Sequence, residues 1–388
     1  MTSPAEHPTA PDRGNSSTAD ADSAQPEVEV TSDGTEAEDI GITKPFDPTL
    51  IDIATKQMSM DTLIRRLRER EVDLSPDFQR GEVWKPTAKS RLIESLLIRI
   101  PLPAFYMDAT DEDRWLVVDG LQRLSTIRDF VIDGSMRLSH LEFLVDFHGF
   151  SFDDLPRNYQ RRIEETQVTV YLIEKGTPSD VKFNIFKRIN TGGLPLSAQE
   201  IRHALNIGPV TTFLKNLVAL PEFQDSSAKS VSDKRMAARE CALRFIAFTL
   251  TPPHEYKAAD FDAFLSDAMA TLNAKSDAAR ADLEGRFRRA LTASDEIFGD
   301  AAFRKPGRKN KSPVNKALFE VWTVSMDRLS DQQIAQLYRA RGSVVQEIDD
   351  FMREDSEFMN AISQGTGDLQ RIRFRFSRFL EVLEDMAE

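Results

Sequence analysis

Four residues within five positions, Asp119, Gly120, Gln122 and Arg123, carry the groups that phosphate chemistry uses. A carboxylate can hold a divalent cation or orient water. A glycine lets backbone approach a ligand or adopt positive φ. An amide and a bidentate guanidinium complete the set. The flanking residues suggest how they are held. Trp115-Leu116-Val117-Val118 is a short apolar run with the pattern of a buried strand. From Leu121 onward, Leu124, Ile127 and Val131 recur at helical spacing. Asp119 therefore falls where strand gives way to helix, beside unpaired N–H groups and a positive dipole end that favour an anion. The same residues also make an ordinary cap, with Asp119 accepting backbone bonds and Arg123 solvated or ion-paired. Spacing alone favours that structural account, because so short a motif recurs by chance.

The elements around the turn follow from pattern and punctuation. Ser59 caps a helix over residues 60–70 with Leu63, Ile64 and Leu67 on its apolar face. Pro86 or Thr87 opens a second helix over 88–98, and Pro101 and Pro103 lead from it into a strand over 104–107. That strand and 115–118 are expected to pair as a β-hairpin. A hairpin-like return over 138–152 turns at Gly149; a polar helix over 155–165 and a strand over 167–173 follow. Ser179 caps a helix over 180–189, and Ser197 with Glu200 forms a capping box for the next. Arg188 and Asn190 stand at the break between these two helices. They face the Asp119 turn, or Asn190 simply caps its helix. From about residue 210 the period is helical to the end, with a strongly apolar helix over 236–250.

Composition sets the outer limits. The chain has 388 residues, 50 basic and 63 acidic, for a net charge of −13. Ten of the acids lie within residues 1–42 against Arg13 alone, so the remainder is near neutral and a nucleic-acid partner is not excluded. Residues 1–45 have almost no large apolar side chains and are expected to be a disordered acidic tail, solubilising or shielding a basic groove as a DNA mimic. Cys241 is the one cysteine, so no intrachain disulfide forms. The five histidines show no metal-ligand spacing. No bilayer-spanning run and no leader pattern are visible, which gives an expectation of a cytoplasmic protein with no membrane partner. Two basic stretches suit DNA: a loop with Lys305, Arg308, Lys309 and Lys311, and the Arg/Phe-interleaved run from Arg371 to Phe379. The phenylalanines of the second read better as core.

Val118-Asp119-Gly120-Leu121-Gln122-Arg123-Leu124 resembles the DGQQR signature of the domain-of-unknown-function 262 family, which supplies the N-terminal domain of GmrSD-type restriction enzymes. Three further motifs follow the family's order. Pro76-Asp77-Phe78-Gln79-Arg80 with Trp84 looks like its PxFQR…W element. Leu92-Ile93-Glu94-Ser95-Leu96-Leu97 with Ile100-Pro101-Leu102-Pro103 looks like its LIESLLxxxPIP segment. Phe186-Lys187-Arg188-Ile189-Asn190-Thr191-Gly192-Gly193 with Leu196-Ser197 looks like its FxRINTGGxPLS element. Leu121 departs from the pattern, standing where the family usually has a glutamine.

The resemblance implies an α+β fold: a ParB/sulfiredoxin-like small mixed sheet with flanking helices over 46–209, followed by an α-helical bundle over 210–388. It implies a nucleotide-binding component of a DNA restriction or phage-defence system, with NTP hydrolysis left open. Asp119, Gln122 and Arg123 are then the catalytic candidates. Asp119 holds Mg²⁺ or orients water, Gln122 assists, and Arg123 neutralises charge from a surface cleft. Gly120, Gln79, Arg80, Arg188 and Asn190 are the nucleotide- and phosphate-binding candidates. The ligand is a nucleoside triphosphate, with Mg²⁺ as its companion. His254 is the only histidine after His203, so these residues encode no His-Asn-His nuclease, and cleavage falls to a partner protein. The competing reading is a non-enzymatic ParB-like module that binds DNA or protein.

Overall fold

A computed structural model describes residues 51–74, 84–189, 196–226, 231, 233–258, 260–307 and 313–388. The acidic tail, Gln79, Arg80, Asn190, Arg308, Lys309 and Lys311 lie outside them. The first half is built on one mixed five-stranded sheet in the order β1-β5-β3-β4-β2. The strands are β1 (Ile53–Ser59), β2 (Val72–Asp73), β3 (Phe105–Asp108), β4 (Trp115–Asp119) and β5 (Gln167–Ile173). β3 pairs antiparallel with β4, as the hairpin expectation required, and parallel with β5; β1 runs antiparallel to β5 and β2 parallel to β4.

Alternation along each strand sends side chains to two different cores. On one face Met107, Val117 and Val170 pack with Leu63, Ile93, Leu96, Leu124 and Ile163. These come from α1 (Met60–Arg68), α2 (Pro86–Leu97), α3 (Leu121–Ile127) and α4 (Arg157–Glu165). On the other face Val118 and Ile173 pack with Val181, Ile185 and Phe186 of α5 (Ser179–Ile189) and Ile201 of α6 (Ala198–Leu205). Local signals place the ends. Ser59 Oγ accepts the Thr62 N–H at 3.3 Å to start α1, Pro86 is the first residue of α2, and the Ser197–Glu200 box opens α6.

The stretch 138–152 differs from expectation. It forms no strand ladder: the Leu138 N–H donates to Phe150 O and the Gly149 N–H to Leu138 O, around a short 3₁₀ turn at Val145–Phe147. The reason is Glu94, whose buried carboxylate accepts the N–H groups of Glu142, Phe143 and Leu144 at 2.8–3.1 Å. Those donors are unavailable to a partner strand. Desolvation raises the Glu94 pKa, but the three N–H groups and Arg91 outweigh it and hold the carboxyl below its ordinary value.

The second half is helical. Its core extends from Val210 to Ala387 and centres on Trp322, against whose ring Phe298 and Phe379 pack at 4.6 and 5.0 Å. The elements are α7 (Pro209–Val218), α8 (Pro221–Ser226), α9 (Ala237–Leu250), α10 (Phe261–Ala274), α11 (Asp277–Phe298), α12 (Lys316–Arg328), α13 (Asp331–Arg339), α14 (Arg341–Glu354), α15 (Ser356–Ala361) and α16 (Leu369–Met386). An ionic chain runs through this core. Glu240 on α9 accepts from Arg244 at 2.8 Å and Lys316 at 3.0 Å, and lies 3.5 Å from Arg202 of α6. Glu320 on α12 binds Arg244 and Arg375. Arg202 also reaches Asp262 on α10 at 2.6 Å. Arg202 thus ties the last helix of the sheet-bearing half to two helices of the bundle. Among the described residues, no helix is long and apolar enough to cross a membrane.

Candidate functional site

β4 ends at Asp119, and α3 begins immediately after Gly120. Gly120 has φ +100°, a left-handed conformation that L side chains avoid. A Cβ there would come within 2.4 Å of the Phe105 ring, which is fully buried. The glycine is therefore required by the fold: a bare backbone lets the strand turn into the helix over Phe105. α3 continues directly into a π-helical turn, Arg128–Ile132.

Arg123 reaches back across this turn. Nη1 donates to Pro103 O and to Ala104 O (3.2 Å), Nη2 donates to Asp119 Oδ2 at 2.7 Å, and the guanidinium lies 4.6 Å from the Phe105 ring centroid. Its side chain is only 10% exposed, whereas that of Asp119 is 34% exposed. Arg123 is thus not the surface group the sequence led us to expect. Burial pulls its pKa down, and the Asp119 carboxylate opposes this. The outcome is a carboxylate aimed by a buried cation. One oxygen is pinned, and Oδ1 accepts no hydrogen bond among the described residues. Gln122 Oε1 accepts the Trp84 N–H at 3.3 Å, joining the turn to the end of the PxFQR…W element. Leu121 is 7% exposed and packs in the core with Leu124 and Ile127, so at this position the side chain is a packing group.

The other candidates sit at varied distances from this turn. Arg188 is exposed on the last turn of α5 and makes no ion pair among the described residues. Ile189 and Leu196, which flank the segment 190–195, pack with Val118 and Tyr106, neighbours of Asp119 along and across the strands. Tyr106 was missed in the sequence; its signal was the strand pairing itself, since it is the cross-strand partner of Asp119.

Lys305 lies far along the chain in the helical half and is half-buried. The loop it belongs to is closed by an antiparallel bridge between Arg304 and Val314, with Arg304 buried. The second basic stretch is largely engaged, with Arg373 exposed. Arg375 is fully buried against Glu320, Arg373 donates to Tyr256 O at 2.8 Å, Arg371 to Gln364 O, and Arg378 pairs with Asp355 and Glu381. Phe376 and Phe379 are core. Most of that run is thus committed to contacts within the bundle. Among the described residues, no group of three or more His, Cys, Asp or Glu converges to cage a metal ion.

A mixed sheet with a glycine-turned strand–helix corner, an arginine-aimed carboxylate and a helical extension defines the class. Residues 62–207 match the family model for the GmrSD restriction endonuclease, N-terminal domain. This stretch of the chain is a GmrSD-type restriction endonuclease N-terminal domain. No curated protein and no solved structure matches the chain.

Proposed function

We propose that the chain is the nucleotide-dependent component of its restriction system: it binds and hydrolyses a nucleoside triphosphate at the Asp119 turn, while a partner protein supplies the nuclease. The observation that carries this is the Asp119 carboxylate, aimed by Arg123 and, among the described residues, left with one oxygen uncommitted at the opening of a helix. Unpaired N–H groups of the first helical turn and the dipole favour a phosphate there. Arg188, exposed and without an ion pair among the described residues, adds positive charge from α5, and Arg80, Gln79 and Asn190 belong to two further family motifs that lie outside the described residues. Mg²⁺ usually takes one or two carboxylates, several waters and the phosphates themselves, and Asp119 fits that share. When bound it neutralises charge on the phosphoryl oxygens. Gln122 holds the turn to Trp84 and completes the polar rim.

One observation favours a second reading. Arg123 spends Nη1 on two carbonyls and Nη2 on Asp119. On that reading the motif is a structural corner, and the chain is a ParB-like module that binds DNA or protein without catalysis. Asp119→Asn separates the two, because the amide oxygen still accepts from Arg123 while the charge is gone. Purified wild type and variant are assayed against a panel of nucleoside triphosphates with Mg²⁺. We expect turnover to fall about 100-fold or more, the scale of losing a charge-orienting group, with thermal stability unchanged. Equal turnover in both would sink the catalytic reading.

DNA contact is proposed for the loop around Lys305. Replacing Lys305, Arg308, Lys309 and Lys311 together with alanine is expected to weaken duplex binding. The slope of log affinity against log salt should flatten by about 0.9 for each phosphate that is no longer neutralised. Nucleotide binding should not change. An unaltered slope would place the DNA-binding surface elsewhere.

A further inference from the structure

One row of residues crosses the sheet from the Asp119 turn. Asp119 on β4 is the partner of Tyr106 on β3 across a bulge, since the next pair along is Met107 with Val117; Tyr106 is the partner of Tyr171 on β5, and Tyr171 is the partner of Thr55 on β1. The two tyrosine rings are stacked, with centroids 4.8 Å apart and planes 23° from parallel. This is the face that α5 covers through Val118 and Ile173, but the cover is incomplete. Tyr106 and Tyr171 are only half-buried, and Thr55 and Gln57 are exposed. At the far edge of the row the Gln57 amide donates to Thr169 Oγ1 at 2.7 Å, and Thr169 is half-buried. The same face thus changes from aliphatic under α5 to aromatic and polar beyond it, and the aromatic part begins beside the carboxylate of the candidate site. Burial, Tyr171 and the nearby Asp119 charge all raise the Tyr106 pKa, so its phenol stays a neutral donor.

We propose that Tyr106 and Tyr171 form the nucleobase shelf of this site, so that a nucleotide lies along the row with its phosphates at Asp119–Gly120 and its base against the tyrosine pair. This rests on the nucleotide reading above. Strands are spaced by about 4.8 Å, so Tyr171 lies about 10 Å from Asp119 across the sheet, comparable to the reach from a nucleotide's terminal phosphates to its base. A stacked tyrosine pair offers a rigid π surface with little side-chain entropy left to lose. Every base has a π face, so the shelf supplies affinity for the class of nucleobase-bearing ligands. The Gln57–Thr169 pair stands at the edge where a base presents its hydrogen-bonding groups. Arg188 is exposed in the last turn of α5, the helix that covers part of this face.

The test compares the full chain with Tyr106→Ala, Tyr171→Ala and the two Phe variants. The probes are ATP, GTP, CTP, UTP and inorganic tripolyphosphate, each with Mg²⁺. Wild type should bind at least one nucleoside triphosphate more tightly than tripolyphosphate. Each alanine variant should lose about 10- to 100-fold of that nucleotide affinity, the range of one base–aromatic stack, and keep its tripolyphosphate affinity. The phenylalanine variants should bind the nucleotide like wild type. Alanine variants with unchanged nucleotide affinity, or with equal losses for nucleotide and tripolyphosphate, would overturn the shelf and leave the phosphate site standing. Wild type that binds neither ligand would overturn the nucleotide reading and the shelf with it. Tyrosine-dependent binding of oligothymidylate without nucleoside triphosphate binding would replace the shelf by a single-strand platform.

Discussion

Glu240→Ala is expected to cost the helical half about 3–5 kcal/mol of stability, the usual result of removing one partner from a buried ionic group. Glu240 is 1% exposed and is the common acceptor for Arg244 and Lys316, with Arg202 at 3.5 Å. Removing it leaves three cations in the core. Glu320 already serves Arg244 and Arg375, and Asp262 serves Arg202, so no spare carboxylate stands in to compensate. The cluster as a whole has four cations, Arg202, Arg244, Lys316 and Arg375, against Glu240, Glu320 and the part-exposed Asp262, so each carboxylate matters more than each base. Burial pushes the Glu240 carboxyl up, but Lys316, Arg244 and Arg202 together hold it far below its ordinary value of 4.5. A depressed carboxylate contributes stability that is complete above the unfolded-state pKa and is lost as pH falls toward the folded one. Wild type should therefore keep this contribution at neutral pH and shed it progressively below about pH 4.5. Urea unfolding of wild type and Glu240→Ala at pH 7 checks the magnitude, and repeating it at pH 3.5 should narrow the gap. A loss under about 1 kcal/mol at pH 7 would mean that the core relaxes to admit water around the arginines.

That cluster also marks where the sequence stopped being legible. Helix α9 was evident from its apolar run, and Glu240 and Arg244 stand four apart on it, a spacing that normally means a solvated pair. Nothing in a single helix says that its polar positions face Lys316 and Glu320 of α12 and Arg202 of α6. The Arg371–Phe379 run shows the same limit: its phenylalanines read as core, but the acceptors of its basic residues came only with the tertiary fold. By contrast, β5 was placed to the residue, since Gln167–Ile173 alternates cleanly and is bounded by turns. β1 went unseen because it is an edge strand whose middle residues, Thr55, Lys56 and Gln57, are exposed and polar. It is only a strand because β5 is there to pair with. The two-residue β2 carries too little pattern to find.

The Asp119 turn was legible as a strand-to-helix corner because apolar alternation stops at Val118 and helical spacing starts at Leu121. The direction of Arg123 was not. Nothing local requires an arginine one turn into a helix to fold back onto Pro103 and Ala104, which enter from a proline-rich connection some twenty residues earlier. Leu121 is the converse case. As a departure from the family's pattern it could be a lost amide or only a packing change, and in the structure it fills core volume beside Leu124 and Ile127.

Arg123→Ala should be damaging twice over, and the two losses can be separated. The guanidinium is the shared donor to Pro103 O, Ala104 O and Asp119, and it lies on the Phe105 ring. Alanine leaves two carbonyls and a carboxylate without that partner and opens space beneath the turn. Charged hydrogen bonds of this kind contribute about 1.5–3 kcal/mol each before relaxation. Water can reach the half-exposed Asp119 and recover part of that, so we expect a net loss of about 2–4 kcal/mol. Arg123→Lys should recover little of it, because one ammonium cannot span a carboxylate and two carbonyls in the planar fork's geometry. Under conditions where the variant remains folded, nucleotide turnover should still be lost, since Asp119 is no longer aimed. Asp119→Asn gives the complementary pattern, with turnover lost and stability kept. The pairing decides between the two functional readings. A catalytic turn predicts that both variants are inactive and only Arg123→Ala is unstable. A purely structural corner predicts the same instability in Arg123→Ala but turnover in folded Arg123→Ala and in Asp119→Asn equal to that of wild type. Urea unfolding and a phosphate-release assay on the same preparations suffice. Full stability in Arg123→Ala would contradict the bonding pattern itself and reopen Arg123 as a group free to grip phosphate.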